Sequence, residues 1–172
     1  MRLISCSVAL LAALTVESWA ADRAYVMNGV FVGTGLAKIA GRLRARGYIV
    51  AYGSYTQAAA FAADACAHRS DRIVVIGHSY GADEAAATVA PQAAACGARD
   101  VTLITVDPAN ARPAGVRGVS HIVNFVGAFG VTIPGAQNIP VPGYNHMSML
   151  ESPAVQERIL SQAILSRTGL RP

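Results

Sequence analysis

The sequence has few charged residues and almost no lysine. Charged side chains make up 14% of its 172 residues, and because Lys38 is the only lysine, the formal net charge of +4 comes almost entirely from arginine. The arginines are scattered, with no run of them and no interleaved aromatic residues, so they do not predict a nucleic-acid-binding stripe. We therefore expect the arginines to be ordinary charged residues of the protein surface, and we expect no nucleic-acid partner.

The chain also lacks an apolar run long enough to cross a membrane. Its most apolar stretch, residues 3–16, is shorter than the roughly 20 residues that a spanning helix needs. A basic start precedes this stretch, and Ser18-Trp19-Ala20 fits the small-x-small cleavage pattern. These features predict a signal peptide over residues 1–20, a secreted or periplasmic protein, and no stable membrane anchor. An amphipathic first helix is the alternative, although the stretch has no polar stripe.

Cysteine is scarce and does not form a metal-binding pattern. Beyond the predicted signal peptide there are two cysteines, Cys66 and Cys96, near the C-terminal ends of consecutive predicted helices. A disulfide is feasible in an exported protein. Two buried free thiols are the alternative, since separation and Cβ direction decide the matter. There is no C-x-x-C and no Cys/His cluster, so we expect no metal site.

Strongly apolar segments of two periodicities alternate along residues 21–172, which we expect to form one domain. The composition, 53% hydrophobic, is typical of a compact chain. The predicted strands are residues 24–27, 48–52, 72–76, 101–106 and 120–126, and the predicted helices are residues 36–46, 57–68, from Ser79 to about 90, and 153–167. Strands that are apolar throughout and alternate with helices predict an α/β fold with a parallel sheet of about five strands, flanked by helices on both faces.

The longest irregular stretch, residues 127–145, is rich in glycine and proline and largely apolar. It contains no insertion long enough for a separate lid domain. Ligands of parallel sheets bind beyond the C-terminal ends of the strands, and this stretch follows a predicted strand. The composition of residues 128–142 therefore favours an apolar ligand group.

The most informative motif is Gly-His-Ser-Tyr-Gly at residues 77–81, which directly follows a predicted buried strand. A serine hydroxyl is a poor nucleophile unless the backbone holds it exposed beside a base, and a sharp strand-to-helix turn does so. Gly77 and Gly81 leave room for the crossing of strand and helix. We predict that Ser79 is a nucleophile; an ordinary glycine-rich turn is the alternative.

Four histidines are available as the base for Ser79. His68 and His121 are expected at the opposite edge of the sheet, and His78 is expected to point away from the nucleophile. His146 follows the apolar stretch and precedes the last helix, so it can lie above the sheet near Ser79. We predict that His146 is the base; a local role in capping that helix is the alternative.

The base needs a carboxylate to fix its tautomer and stabilise the imidazolium. Asp107 ends the predicted strand 101–106, and Pro108 then turns the chain away. Asp83, Glu84 and Asp100 lie in a helix or before a strand, so Asp107 is preferred. An ordinary Asp-Pro turn is the alternative.

Backbone N–H groups are the expected donors to a developing oxyanion. The N–H of Tyr80 opens the helix after Ser79, where the helix dipole is also favourable. The second donor is expected from the loop after the first strand, supplied by Gly29 or Val30.

Gly-His-Ser-Tyr-Gly, Val-Asp-Pro and Asn-His-Met-Ser, in that order, resemble the motifs of the α/β-hydrolase superfamily. The chain is similar in scale to cutinases and minimal lipases, and in its acid placement to thioesterase domains. The resemblance implies a reduced α/β-hydrolase fold and a serine hydrolase that cleaves esters or thioesters through an acyl-enzyme. It further implies a small-molecule or lipid-like substrate and no cofactor.

Two alternatives belong to other classes. Gly29, Gly33 and Gly35 resemble the dinucleotide loop of short-chain dehydrogenases, but residues 51–55 offer no charged ribose selector and the chain lacks Tyr-x-x-x-Lys. A non-catalytic binding protein on a hydrolase scaffold is the other alternative, because a fold alone does not establish activity.

Overall fold

The described residues build a single six-stranded parallel sheet. The computed structural model describes residues 21–31, 33–110, 116, 118–119 and 121–168, so the predicted signal peptide lies outside them. The strands run in the order β2-β1-β3-β4-β5-β6, and each neighbouring pair is parallel. They are β1 (Asp22–Asn28), β2 (Ile49–Ser54), β3 (Arg72–His78), β4 (Asp100–Val106), β5 (His121–Val126) and β6 (Gln137–Pro140).

Helices cover both faces of this sheet. They are α1 (Thr34–Arg44), α2 (Ala58–Ala67), α3 (Tyr80–Glu84), α4 (Ala90–Ala95) and α5 (Pro153–Thr168), with 3₁₀ turns at Tyr55–Gln57 and Ser148–Glu151 and a π-helical turn at Ala85–Val89. The predicted α/β class, with a parallel sheet between two helical layers, is confirmed.

Strand periodicity explains the two layers. Successive side chains of a strand point to opposite faces, so Val74 and Ile76 of β3 join one core while Ile73 and Val75 join the other. The first core is closed by α1 and α5, and the second by α2, the π-helical turn and α4. Burial on both faces is the reason these strands are apolar throughout.

Two local features differ from the sequence-based expectation. Residues 127–145 were expected to be irregular, yet Gln137–Pro140 pairs with β5 as an edge strand. The strand is short and mostly exposed, and proline is tolerated at an edge, so its sequence carries little strand signal. The helix after Ser79 was expected to weaken at Pro91, yet the helical backbone continues from α3 through the π-helical turn into α4, which contains Pro91. The N–H of Ala90 donates to the carbonyl of Ala85 with π-helical spacing directly before the proline, which itself has no N–H to donate.

Cys66 and Cys96 form a disulfide, with an S–S distance of 1.98 Å. Cys66 lies in α2 and Cys96 directly follows α4, so the bond joins two neighbouring helices of one face. The alternative of two free thiols is therefore wrong.

Candidate active site

The site residues occupy the ends of two adjacent strands. Ser79 directly follows β3 and Asp107 directly follows β4, and the last paired residues of these strands are His78 and Val106. The N–H of Ser79 continues this pairing by donating to the carbonyl of Val106 at 3.1 Å. Side chains after both strands therefore meet at the C-terminal edge of the sheet, where parallel sheets bind ligands.

The backbone at Ser79 makes a sharp turn into α3. Its φ and ψ are 57° and −129°, a left-handed conformation that a non-glycine residue seldom adopts. A Cβ on Gly77 would lie 2.2 Å from the carbonyl oxygen of Gly81, and one on Gly81 would lie 2.4 Å from that of Met27. The two glycines are thus required by the close crossing of β3, α3 and β1.

The hydroxyl of Ser79 is open to solvent. Among the described residues every side-chain nitrogen or oxygen that is sealed from solvent has a hydrogen-bond partner. In that same part of the chain, no hydrogen bond joins Ser79 Oγ to another group, His146 included. The hydroxyl therefore reaches solvent, although the residue as a whole is 9% exposed.

Asp107 and His146 are in direct contact. Nδ1 of His146 lies 2.7 Å from Oδ2 of Asp107, whose side chain is fully buried. The other carboxylate oxygen accepts hydrogen bonds from the N–H groups of Gly127 and Phe129, at 3.0 and 3.2 Å. With Nδ1 donating to the carboxylate, Nε2 of His146 is the nitrogen left free to accept a proton.

The loop that carries His146 is fixed at both sides of the histidine. Oδ1 of Asn145 accepts hydrogen bonds from the N–H groups of Met147 and Ser148, at 3.0 and 2.8 Å. The following 3₁₀ turn ends at Glu151, whose carboxylate accepts from the N–H of Gly35 at 2.7 Å. His146 is therefore held by its own turn and by a contact with the start of α1.

Two of the three residues expected at an oxyanion site have suitable backbone positions. Tyr80 is the first residue of α3, so its N–H is among those that a helix leaves without an intrahelical acceptor. Gly29 passes directly beside Ser79: a Cβ on Gly29 would lie 2.8 Å from Cβ and 3.2 Å from Oγ of Ser79. Val30, the third, follows with its side chain exposed.

His78 was expected to point away from the site, and this expectation is wrong. Its ring stacks on that of His146 with 4.4 Å between centroids, and its Nε2 lies 3.0 Å from the carbonyl oxygen of His146. A signal for this was present, because His78 shares strand parity with Val74 and Ile76, which face α1 and α5. The His146 loop leads into α5 and so lies on that same face.

The remaining acids and histidines lie elsewhere. His121 begins β5 at the opposite edge, with Nε2 3.3 Å from Oε1 of Gln162, and His68 contacts the carbonyl of Asp64 at the end of α2. Asp83 is buried, and its carboxylate accepts two hydrogen bonds from Asn110.

The dehydrogenase alternative does not fit the glycine loop. The N-terminus of α1, where a dinucleotide phosphate would bind, is occupied by the carboxylate of Glu151. A Cβ on Gly35 would lie 2.3 Å from the carbonyl oxygen of Leu150, so Gly35 is required by contact with protein.

Exposed apolar side chains gather around the site. Of the seven large hydrophobic residues that are exposed in the described part of the chain, five lie within two residues of Gly29, Ser79 or His146, and a sixth, Phe129, contacts His146. We call these six the apolar rim: Val30, Phe31, Tyr80, Phe129, Tyr144 and Met147. Phe31 is the most exposed, at 70%, and the ring of Phe129 lies 4.2 Å from that of His146.

Over the residues described, no group of three or more His, Cys, Asp or Glu side chains is arranged to hold a metal ion. None of the helices described has the length and apolarity to span a membrane.

Comparisons with known proteins identify no family. The sequence matches no protein-family model and no curated protein. A solved structure of an acetylxylan esterase, at 0.90 Å resolution, is similar to this chain with a TM-score of 0.44 and 16% sequence identity, covering 87% of this chain and 98% of that one.

Proposed function

We propose that the protein is a serine hydrolase of the α/β-hydrolase type that cleaves carboxylic esters or thioesters through an acyl-enzyme. The observation that carries the proposal is the contact between Nδ1 of His146 and the buried carboxylate of Asp107, at 2.7 Å, at the sheet edge where Ser79 occupies a strained turn. This is the combination of nucleophile, base and orienting acid that acyl transfer requires.

In the proposed mechanism, Nε2 of His146 takes the proton of the Ser79 hydroxyl as Oγ attacks the acyl carbon. The N–H of Tyr80 and an N–H of Gly29 or Val30 donate to the oxyanion of the tetrahedral intermediate. The imidazolium then protonates the leaving-group oxygen or sulfur, and the alcohol or thiol departs. The acyl group remains bound to Ser79 as the acyl-enzyme. Water, deprotonated by His146, hydrolyses the acyl-enzyme, and Asp107 stabilises the imidazolium in both halves.

The apolar rim supports an ester with an apolar acyl group as the substrate. Phe129 contacts His146, and Val30 lies beside the expected oxyanion donors, so an acyl chain leaving the site would run along these side chains. Each buried CH₂ group contributes about 0.8 kcal/mol, which is roughly a fourfold gain in kcat/KM. We expect kcat/KM to rise by this factor per added CH₂ over short chains.

We also propose that the protein is secreted or periplasmic, with residues 1–20 as a cleaved signal peptide. The disulfide between Cys66 and Cys96 supports this proposal, because disulfides persist in oxidising compartments.

The test is covalent labelling of residues 21–172 with a fluorophosphonate probe, comparing the wild type with Ser79→Ala, His146→Ala and His121→Ala. We expect labelling to be abolished by Ser79→Ala, strongly slowed by His146→Ala, and unchanged by His121→Ala, whose side chain lies at the opposite edge of the sheet. A panel of esters of graded acyl length then tests the substrate.

A binding protein on a hydrolase scaffold is the second candidate, and the missing hydrogen bond between Ser79 Oγ and His146 in the described residues favours it. Such bonds are often long in unliganded enzymes and tighten when substrate binds. A folded wild-type protein that is not labelled would support the binding role and overturn the hydrolase.

A further inference from the structure

His78 directly precedes the nucleophile and touches the base, yet the mechanism above does not use it. Its side chain is buried, at 3% exposure, and it makes two separate contacts with His146. One is the ring stacking, with planes 28° apart, and the other is the approach of Nε2 to the carbonyl oxygen of His146 at 3.0 Å.

The second contact defines the tautomer of His78. A carbonyl oxygen can only accept a hydrogen bond, so Nε2 of His78 must carry the proton and donate it. Burial lowers the pKa of His78 to about 4, and a positive charge on His146 acts in the same direction. His78 is therefore a neutral imidazole at neutral pH, protonated on Nε2. It does not compete, as a second cation, with the imidazolium of His146 for the carboxylate of Asp107.

The two contacts restrict different motions of the base. The hydrogen bond holds the main chain of His146 against the end of β3, whose position is set by pairing with Val106. The stacked ring, together with that of Phe129 at 4.2 Å, limits rotation of the imidazole. Because His78 and Ser79 are consecutive, the same piece of backbone that carries the nucleophile also locates the base.

We propose that His78 is a positioning residue for His146. The Nε2–H of His78 fixes the main chain of His146 by donating to its carbonyl oxygen. The ring of His78 keeps the imidazole of His146 oriented with Nδ1 on Asp107 and Nε2 toward Ser79. This inference rests on the proposed function. It assigns a role to His78, the second residue of the Gly-His-Ser-Tyr-Gly motif, that requires no contact between His78 and the substrate.

Two substitutions separate the two contacts. His78→Phe keeps a stacking ring and removes the donor, whereas His78→Gln keeps an N–H donor and removes the ring. We expect each to lower kcat and the rate of fluorophosphonate labelling by about 3- to 10-fold, the effect of one lost neutral contact, and to leave KM for a short ester unchanged. His78→Ala, which removes both contacts, is expected to lower the rate more than either.

Nuclear magnetic resonance supplies a readout that a purely structural role would not move. We expect the Nδ1 proton of His146, which bonds to Asp107, to give a resolved resonance in the wild type that is broadened by exchange in His78→Phe and His78→Gln. His121→Phe and His121→Gln serve as matched controls, since His121 lies at the opposite edge of the sheet, and are expected to leave this resonance and the labelling rate unchanged.

The outcomes distinguish this inference from the proposed function. If the folded wild type is not labelled, the hydrolase fails, and the resonance of His146 still decides whether His78 positions it. If both variants label at the wild-type rate with the Nδ1 resonance intact, the positioning role is overturned. Should the variants not fold, the wild type decides alone: a His78 protonated on Nδ1 at pH 7 would overturn the proposal, and one protonated on Nε2 supports it.

Discussion

Asp107 is the residue whose charge matters most to the proposed chemistry. In Asp107→Asn the amide oxygen can still accept from Gly127 and Phe129, which turns the NH₂ group toward Nδ1 of His146. Nδ1 must then accept, so the proton moves to Nε2, which can no longer take one from Ser79. We expect fluorophosphonate labelling to slow by about 10³- to 10⁴-fold.

Asp83→Asn is the matched control for this change. Asp83 is also a buried carboxylate that accepts two hydrogen bonds, but both come from Asn110 and neither partner touches His146. We expect this variant to keep the wild-type labelling rate while folded. Equal losses in both variants would contradict the role assigned to Asp107.

Gly29 is expected to tolerate no side chain. In Gly29→Ala the new Cβ would lie 2.8 Å from Cβ of Ser79. The loop after β1 must therefore move away from Ser79, and the backbone N–H groups of that loop move with it. The loss of one oxyanion donor lowers turnover by about 10²–10³-fold, and we expect a fall in kcat of this size.

The same substitution at Gly41 provides the comparison. Gly41 lies inside α1, and a Cβ there meets nothing within 4 Å. Alanine is favoured over glycine in a helix, so Gly41→Ala should raise the free energy of unfolding by about 0.5–1 kcal/mol with kcat unchanged. Thermal unfolding and ester turnover of both variants measure the contrast.

At the residue scale, the sequence predicted the positions of residues that directly follow a strand. It missed the position of His78, which depends on a loop distant in sequence. The shared position of Ser79 and Asp107 at one edge of the sheet was predictable because each directly follows a buried strand, and parallel strands end together. The position of His78 depends on the path of the His146 loop, which is separated from it by 68 residues and has no periodic pattern of its own.

At the scale of elements, Glu151 joins the turn that follows His146 to α1. Its carboxylate accepts from the N–H of Gly35, the hydroxyl of Thr34 and the ammonium of Lys38. The hydrogen bonds from Lys38 and Thr34 lower the pKa of Glu151 below its usual value of 4.5. A carboxylate at a helix N-terminus is also favoured by the helix dipole.

We expect Glu151→Gln to lower stability at pH 7 and to slow labelling, because the His146 loop loses its anchor. A group with a depressed pKa in the folded state stabilises the fold above its unfolded pKa, and that contribution is lost as the pH falls through the folded pKa. The difference in urea midpoint between wild type and Glu151→Gln should therefore be full at neutral pH and shrink as the pH falls below about 4.5.

Glu157→Gln is the control, because Glu157 also pairs with a cation of α1, Arg42, but in the described residues it does not accept a backbone N–H from the start of that helix as Glu151 does. Exposed ion pairs contribute little to stability. A Glu151→Gln effect that is no larger than that of Glu157→Gln, or that does not change with pH, would contradict the docking role.

Element boundaries were predictable where burial is high and not where it is low. The four inner strands, β1, β3, β4 and β5, lie between two helical layers, so their central residues are apolar. Gln137–Pro140, by contrast, is an exposed edge without that signature. The continuation of the helix beyond Pro91 was missed because it passes through the π-helical turn Ala85–Val89, whose hydrogen-bond spacing has no sequence pattern.

At the scale of the whole molecule, the disulfide closes a loop with a sequence separation of 30 residues that contains β3 and Ser79. Closing a loop of this length restricts the unfolded chain by about 3–4 kcal/mol. We expect the double variant Cys66→Ala/Cys96→Ala to lose about that much stability in urea at 25 °C. Labelling of the folded variant should be retained, since both cysteines lie on the face opposite to α5.

Reducing agent supplies the internal control. Dithiothreitol should lower the urea midpoint of the wild type toward that of the double variant and should leave the double variant unaffected. An unchanged wild-type midpoint under full reduction would show that the bond contributes nothing to stability.

The alternation of apolar strands and helices was sufficient to predict the global arrangement, because right-handed crossovers leave few ways to build such a sheet. It could not supply the side-chain contacts at the sheet edge, which arise where α5 and its preceding loop meet β3.

Both ends of the described chain lie at the edge of the sheet opposite to Ser79. β1 begins there, and α5 returns to it: the hydroxyl of Tyr48, just before β2, donates to the carbonyl of Ala163 at 3.0 Å. A protein attached to a solid support or fused to a partner through residue 21 or residue 168 would therefore point its apolar rim away from the attachment. Immobilisation through either end should then leave Ser79 accessible to a bulky or insoluble substrate.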